Sequence, residues 1–161
     1  MRHFFLATIS IFLLQGCLSV ARISDFPTTS SNINFDNYSK EKSEKKDPFW
    51  TLETSTEYYI ETQKLINNDV LINLISQSLK DNGYVIFVSD KNNNYVIGKR
   101  GLRANEWNTR TGVYYRNDIS KNKTQIYINS RITQDITGGW KDNRAKKVGL
   151  VLENLINGFD K

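Results

Sequence analysis

The stretch Asn68-Asp69-Val70-Leu71-Ile72-Asn73-Leu74-Ile75-Ser76-Gln77-Ser78-Leu79-Lys80-Asp81-Asn82-Gly83-Tyr84-Val85-Ile86-Phe87-Val88-Ser89 changes its hydrophobic period part-way, and that change decides the fold class. Val70, Leu71, Leu74, Ile75 and Leu79 recur at helical spacing and give one apolar face. Asn68 or Asp69 is suited to cap this helix, because its side-chain oxygen can accept from an orphan backbone N–H. Asp81-Asn82-Gly83 ends it, with Gly83 suited to the left-handed position after the last turn. From Tyr84 the helical period is gone. Tyr84 to Ser89 is an almost unbroken apolar run of strand length, which reads as a central strand.

Outward from this junction the pattern repeats in strands. Asp90 to Asn94 is a polar turn, and Tyr95 to Gly101 completes a hairpin. Arg110 to Asn117 and Lys123 to Gln134 read as two further strands. A terminal helix is expected from about Trp140 to Ile156, with Ala145, Val148, Val151, Leu152, Leu155 and Ile156 as its stripe. The expected fold class is α+β: a two-layer domain with an antiparallel four-stranded sheet, two helices on one face, and the order α-β-β-β-β-α. The other sheet face is then the more exposed one. Ahead of the first helix, Tyr58 and Ile60 alternate with Glu57, Tyr59 and Glu61 and suggest a short strand outside that set of four.

The amino-terminal segment has the layout of an export signal. Met1-Arg2-His3 supplies a positive start, and Phe4 to Leu14 is apolar apart from Thr8 and Ser10. Eleven helical residues span only about 16 Å, roughly half of a bilayer core, so a transmembrane helix is a poor reading. Leu14-Gln15-Gly16-Cys17 follows, and it resembles the lipobox of bacterial lipoproteins. The resemblance implies cleavage between Gly16 and Cys17 and attachment of acyl chains to Cys17. Leu18, rather than aspartate, follows the cysteine, which implies the outer membrane, facing the periplasm, with the inner membrane as the alternative.

Three regions are therefore expected: a signal peptide at 1–16, a lipidated Cys17 with a flexible tether at 17–47, and a globular domain at 48–161. The tether reading rests on Pro27-Thr28-Thr29-Ser30-Ser31, several asparagines, and the charged run Lys40 to Asp47. Thirty such residues have a root-mean-square reach of roughly 30 Å. Phe49-Trp50 is expected to open the domain.

Composition limits the chemistry. The only histidine, His3, leaves with the leader, and acylation occupies the only cysteine. The processed chain then has no imidazole and no free thiol, which removes Ser-His-Asp and Cys-His catalysis, disulfides and His/Cys zinc sites. No phosphate-binding glycine loop, calcium loop or nucleophile elbow is evident. The expectation is a protein without enzymatic activity or cofactor, and a carboxylate-based hydrolase is the weaker alternative. Net charge is +5, or +4 once Arg2 is lost. In a bacterial envelope such charge meets lipid phosphates and acidic glycans, not nucleic acid.

One surface stands out. Lys99, Arg100, Arg103, Arg110, Arg116, Lys121, Lys123 and Arg131 face only Glu106 and Asp118 in the segment 99–131. Strand alternation puts Arg110, Tyr114 and Arg116 on one face, and Tyr127 and Arg131 on the corresponding face of the next strand. If Ile126, Ile128, Val113 and Tyr115 point to the helices, these five form an outer Arg/Tyr face. Such a face is suited to an anionic glycan, a lipid headgroup or an acidic partner in an envelope complex. Trp107 is expected to fold back onto the core edge.

The passage Leu79-Lys80-Asp81-Asn82-Gly83-Tyr84-Val85-Ile86, with Gly98-Lys99-Arg100, is similar to a module in small uncharacterised Gram-negative lipoproteins. It implies a fold type rather than an activity. The element order also resembles that of the lipopolysaccharide-assembly lipoprotein. That family's Gly-Phe after the cysteine is replaced here by Leu18-Ser19, and its function is not carried over.

Overall fold

The computed structural model describes residues 22–38, 54–101, 109–132 and 143–159. Gly16, Cys17, Phe49-Trp50, Trp107 and Trp140 lie outside the described residues.

The elements are β1 (Thr54–Thr62), α1 (Asn68–Asp81), β2 (Val85–Asp90), β3 (Tyr95–Lys99), β4 (Arg110–Asp118), β5 (Lys123–Ile132) and α2 (Arg144–Gly158). The fold class is α+β. The sheet has five antiparallel strands in the order β1-β5-β4-β3-β2, one more than the four expected. The addition is β1, which pairs along its whole length with β5, Tyr58 opposite Ile128 and Ile60 opposite Ile126. It buries Tyr58 and Ile60 on one side and Tyr59 on the other. Such two-sided burial blurs the alternation that marks a half-exposed strand.

The two helices pack on one face of the sheet, as their single stripes require. Leu71, Ile75 and Leu79 of α1 meet Val148, Leu152 and Ile156 of α2 above Val96, Val113, Tyr115, Ile126 and Ile128. The Ser78 hydroxyl donates to the Val148 carbonyl at 2.7 Å, so this polar group between the helices is satisfied. Gly149 lets α2 lie directly on the Tyr58 ring, where any Cβ would collide.

The caps differ in detail from the expectation. Asn67, not Asn68 or Asp69, caps α1, accepting from the Asp69 N–H at 2.8 Å. The Asn68 side chain is engaged elsewhere: its oxygen accepts from the Asn117 amide at 3.0 Å. At the other end Gly83 has φ 80°, and the Tyr84 N–H reaches back to the Leu79 carbonyl at 3.0 Å. Asn143 caps α2 through the Lys146 N–H.

The apolar run from Tyr84 forms an edge strand, not a central one. Its register shifts between Ile86 and Val88, Ile86 lying opposite Gly98 and Val88 opposite Ile97. The bulge turns the strand over. Ile86 packs against the helix-side core and Val88 against the opposite face. Val85 and Phe87 are left exposed. The run is apolar because the strand serves two faces in turn, not because it is buried on both.

The largest correction concerns the second sheet face and the expected tether. Residues 22–38 are packed on the sheet. They form three single-turn 3-10 segments, Ile23–Asp25, Ser30–Asn32 and Phe35–Asn37. Phe26, Ile33 and Phe35 are buried with Tyr59, Tyr95, Ile97, Tyr114 and Tyr127 in a core of their own. This segment, called the strap below, makes the domain three layers deep. Five aromatic or aliphatic side chains, Ile23, Phe26, Ile33, Phe35 and Tyr38, supply the apolar area that a linker lacks.

Candidate functional site

The registers show how the five candidate residues lie relative to one another. Tyr114 lies opposite Tyr127, and Arg110 opposite Arg131, while Arg116 pairs with Gln125. All five therefore share one face of the sheet. That face is not open, however, and its occupant is the strap.

Tyr114 and Tyr127 are buried. The Tyr114 hydroxyl donates to the Pro27 carbonyl at 2.9 Å. Tyr114 stacks on Tyr95 with ring centroids 5.9 Å apart, and Tyr127 meets Tyr38 of the strap at 4.3 Å. The Tyr127 hydroxyl donates to Glu57 Oε1 at 2.6 Å. Burial pushes the phenols of Tyr114 and Tyr127 well above the ordinary value, and for Tyr127 the Glu57 carboxylate adds to the rise.

Arg116 is committed to the strap as well. Its Nη2 donates to Asp36 Oδ1 at 2.8 Å and to Gln125 Oε1 at 2.6 Å. Its guanidinium lies 5.1 Å from the centre of the Phe35 ring. The Arg116 hydrogen bond and charge hold the Asp36 carboxyl below the usual carboxylate value. The polar chain runs on across the sheet. Gln125 Nε2 donates to the Tyr59 hydroxyl at 2.5 Å, and that hydroxyl donates to Glu61 at 2.9 Å. Lys123 Nζ also donates to Glu61 at 2.9 Å and is the main cause of its lowered pKa.

Gly112 marks the strap's entry. A Cβ there would stand 2.9 Å from the Phe26 ring, so only glycine admits that ring so close to the sheet. Arg131 lies over the same Phe26 ring at 5.6 Å. The Ser30 N–H donates to the Asn93 carbonyl at 2.9 Å, tying the strap's middle to the β2–β3 turn.

Strand alternation thus brings the five side chains together, but it carries no sign of the strap that they hold. Phe26, Phe35, Asp36, Tyr59 and Gln125 belong to the same constellation. The available signal was Ile23, Phe26, Ile33, Phe35 and Tyr38 spaced through a polar stretch, together with a tyrosine-rich face lacking a cover. Among the described residues no three His, Cys, Asp or Glu side chains gather as a metal site, and no helix is long and apolar enough to cross a membrane.

No protein-family model matches the chain, and no curated protein matches it. Among solved structures, an uncharacterised protein of Bacillus thuringiensis is similar over 66% of this chain and 94% of its own, with 12% identity and a TM-score of 0.40. A likeness that distant carries neither fold nor function across.

Proposed function

We propose that this chain is a lipid-anchored protein of the bacterial outer membrane, facing the periplasm. It acts without enzymatic chemistry, by binding or helping to assemble an envelope component. The observation that supports this reading most is the position of the strap. Residues 22–38 dock on the sheet a few residues after the lipobox cysteine. The five peptide units from Cys17 to Arg22 span at most about 18 Å when fully extended. An acylated Cys17 therefore keeps the domain beside the bilayer, rather than some 30 Å away on a loose tether. Two or three acyl chains would make that anchoring durable.

The test is an intact-mass measurement on protein purified from membranes, paired with a Cys17→Ser variant. The expected result is an amino terminus at Cys17 with acyl mass added, and loss of that mass in the variant together with retention of the leader. An unmodified thiol at Cys17, or an amino terminus elsewhere, overturns the reading.

A further inference from the structure

Three cations form a row at one end of the strap-covered face. Lys99 lies directly opposite Arg110, and Arg110 directly opposite Arg131. Directly opposed side chains on neighbouring strands share a face, and like charges so placed repel. Among the described residues none of the three has a carboxylate partner. Lys99 is exposed and lies over the Phe87 ring at 4.9 Å, while Arg110 and Arg131 are half-buried. The Arg131 Nε is buried without a hydrogen-bond acceptor. The opposite end of the face is different, since there Arg116 and Lys123 are matched by Asp36 and Glu61.

The unmatched row is also where Phe26, near the first described residue of the strap, meets the sheet. Phe26 is wedged between Gly112 and Arg131, and Arg22 is four residues earlier. From Cys17 to Arg22 the chain reaches at most about 18 Å. The cation row and the Phe26 end of the strap thus occupy one end of the sheet face.

We propose that the row Lys99–Arg110–Arg131 is a docking surface for the phosphate headgroups of anionic phospholipid, orienting the domain on the bilayer that holds its anchor. Guanidinium groups donate in a planar fork that fits phosphate oxygens, and the lysine adds a point charge. This orientation rests on the anchoring proposed above, but headgroup binding is measurable without it.

The experiment uses residues 18–161, which hold every described element and carry no acyl chain. Sedimentation with vesicles of phosphatidylcholine containing phosphatidylglycerol is compared with pure phosphatidylcholine. Binding is expected only to the anionic vesicles, weakening as salt is raised. Each cation near an anionic surface is worth about fivefold in affinity, so Lys99→Gln with Arg110→Gln should cost roughly thirtyfold. This pair leaves Arg131, and with it the contact to Phe26, in place. Lys91→Gln with Lys121→Gln removes the same charge from the turns at the other end and should cost less than threefold, roughly the share expected of distant charges.

Equal losses from the two pairs, or no binding to anionic vesicles, overturn the proposal. So does competition by inorganic phosphate beyond its effect on ionic strength, which would indicate a discrete anion site. An unacylated Cys17 in native protein would sink the anchoring and leave this binding untouched; absent vesicle binding would do the reverse.

Discussion

The two faces of one sheet are closed by different means. Two amphipathic helices cover the first with aliphatic side chains set at a regular period. Seventeen residues with no helix longer than one turn cover the second. The helix side relies on shape: Leu71, Ile75, Leu79, Leu152 and Ile156 are fully buried there. The strap side relies on rings and on an arginine that reaches from the sheet to Asp36. A helix satisfies its own backbone, whereas a strap of single turns leaves more of that task to the sheet. The bonds from Tyr114 to Pro27 and from Ser30 to Asn93 do part of it. The helix side should therefore fail with the whole domain, and the strap side as a local unit.

The strongest challenge to that contrast is Leu79→Ala. Leu79 is fully buried, and a Cβ on Gly98 of the sheet would stand only 3.3 Å from its side chain. A cavity there should cost about 3 kcal/mol of global stability in denaturant unfolding. Gly149→Ala comes next. Its methyl group would enter the Tyr58 ring, and overpacking of this kind should cost about 2 kcal/mol.

Phe35→Ala tests the other face. Phe35 is as buried as the helix-side leucines. Because the strap can peel away and leave no cavity, the loss should be only the transfer of the ring, about 1.5–2 kcal/mol. A loss as large as that for Leu79 would erase the distinction. Tyrosine titration sharpens it further. A phenol whose pKa is raised by folding contributes stability below its unfolded value of about 10, and that stability is lost as pH rises through the native value. Tyr59, Tyr114 and Tyr127 are raised on the strap side, and Tyr115 on the helix side is pushed up to about 12 by burial. In Phe35→Ala the first three should ionise nearer pH 10, as followed by ultraviolet absorbance, while Tyr115 stays at about 12.

The smallest effect belongs to Asp36. Its carboxyl is held down by Arg116, so its contribution is complete above an unfolded value near 4 and is lost as pH falls through the lower native one. Hydrogen-exchange protection of the strap, measured against the intrinsic rate at each pH, should fall across that acid window. Asp36→Asn should make exchange faster at neutral pH and flatten part of the acid response. Glu61, lowered mainly by Lys123, titrates in the same window, as do Asp90, held down by hydrogen bonds from Asn93, and Asp118, held down by one from Ser120; these contribute the rest. An unchanged acid response in Asp36→Asn would remove the ion pair from the account.

The same contrast explains what could be read from sequence. Both helices and four of the strands follow from period alone, and so does the shared face of Arg110, Tyr114, Arg116, Tyr127 and Arg131. Periodicity reports secondary structure repeated over several turns, and the strap has none. Pro27-Thr28-Thr29-Ser30-Ser31 has the composition of a linker, yet Ser30 is buried and Phe26 anchors the segment. The edge position of β2 was hidden for a related reason. Its bulge presents Ile86 and Val88 to opposite faces, so an edge strand acquires a central strand's composition. Compensation between distant residues, Asp36 with Arg116 or Phe26 with Gly112, leaves no local pattern to detect.

Everything distinctive about this domain depends on closure of the tyrosine face by residues 22–38. Nuclear Overhauser contacts measure it directly. Cross-peaks are expected from the Phe26 ring to the Gly112 α-protons and between the Tyr38 and Tyr127 rings in the folded protein. Unstructured chemical shifts for 22–38, with none of these cross-peaks and solvent-exposed Tyr114 and Tyr127, would contradict it.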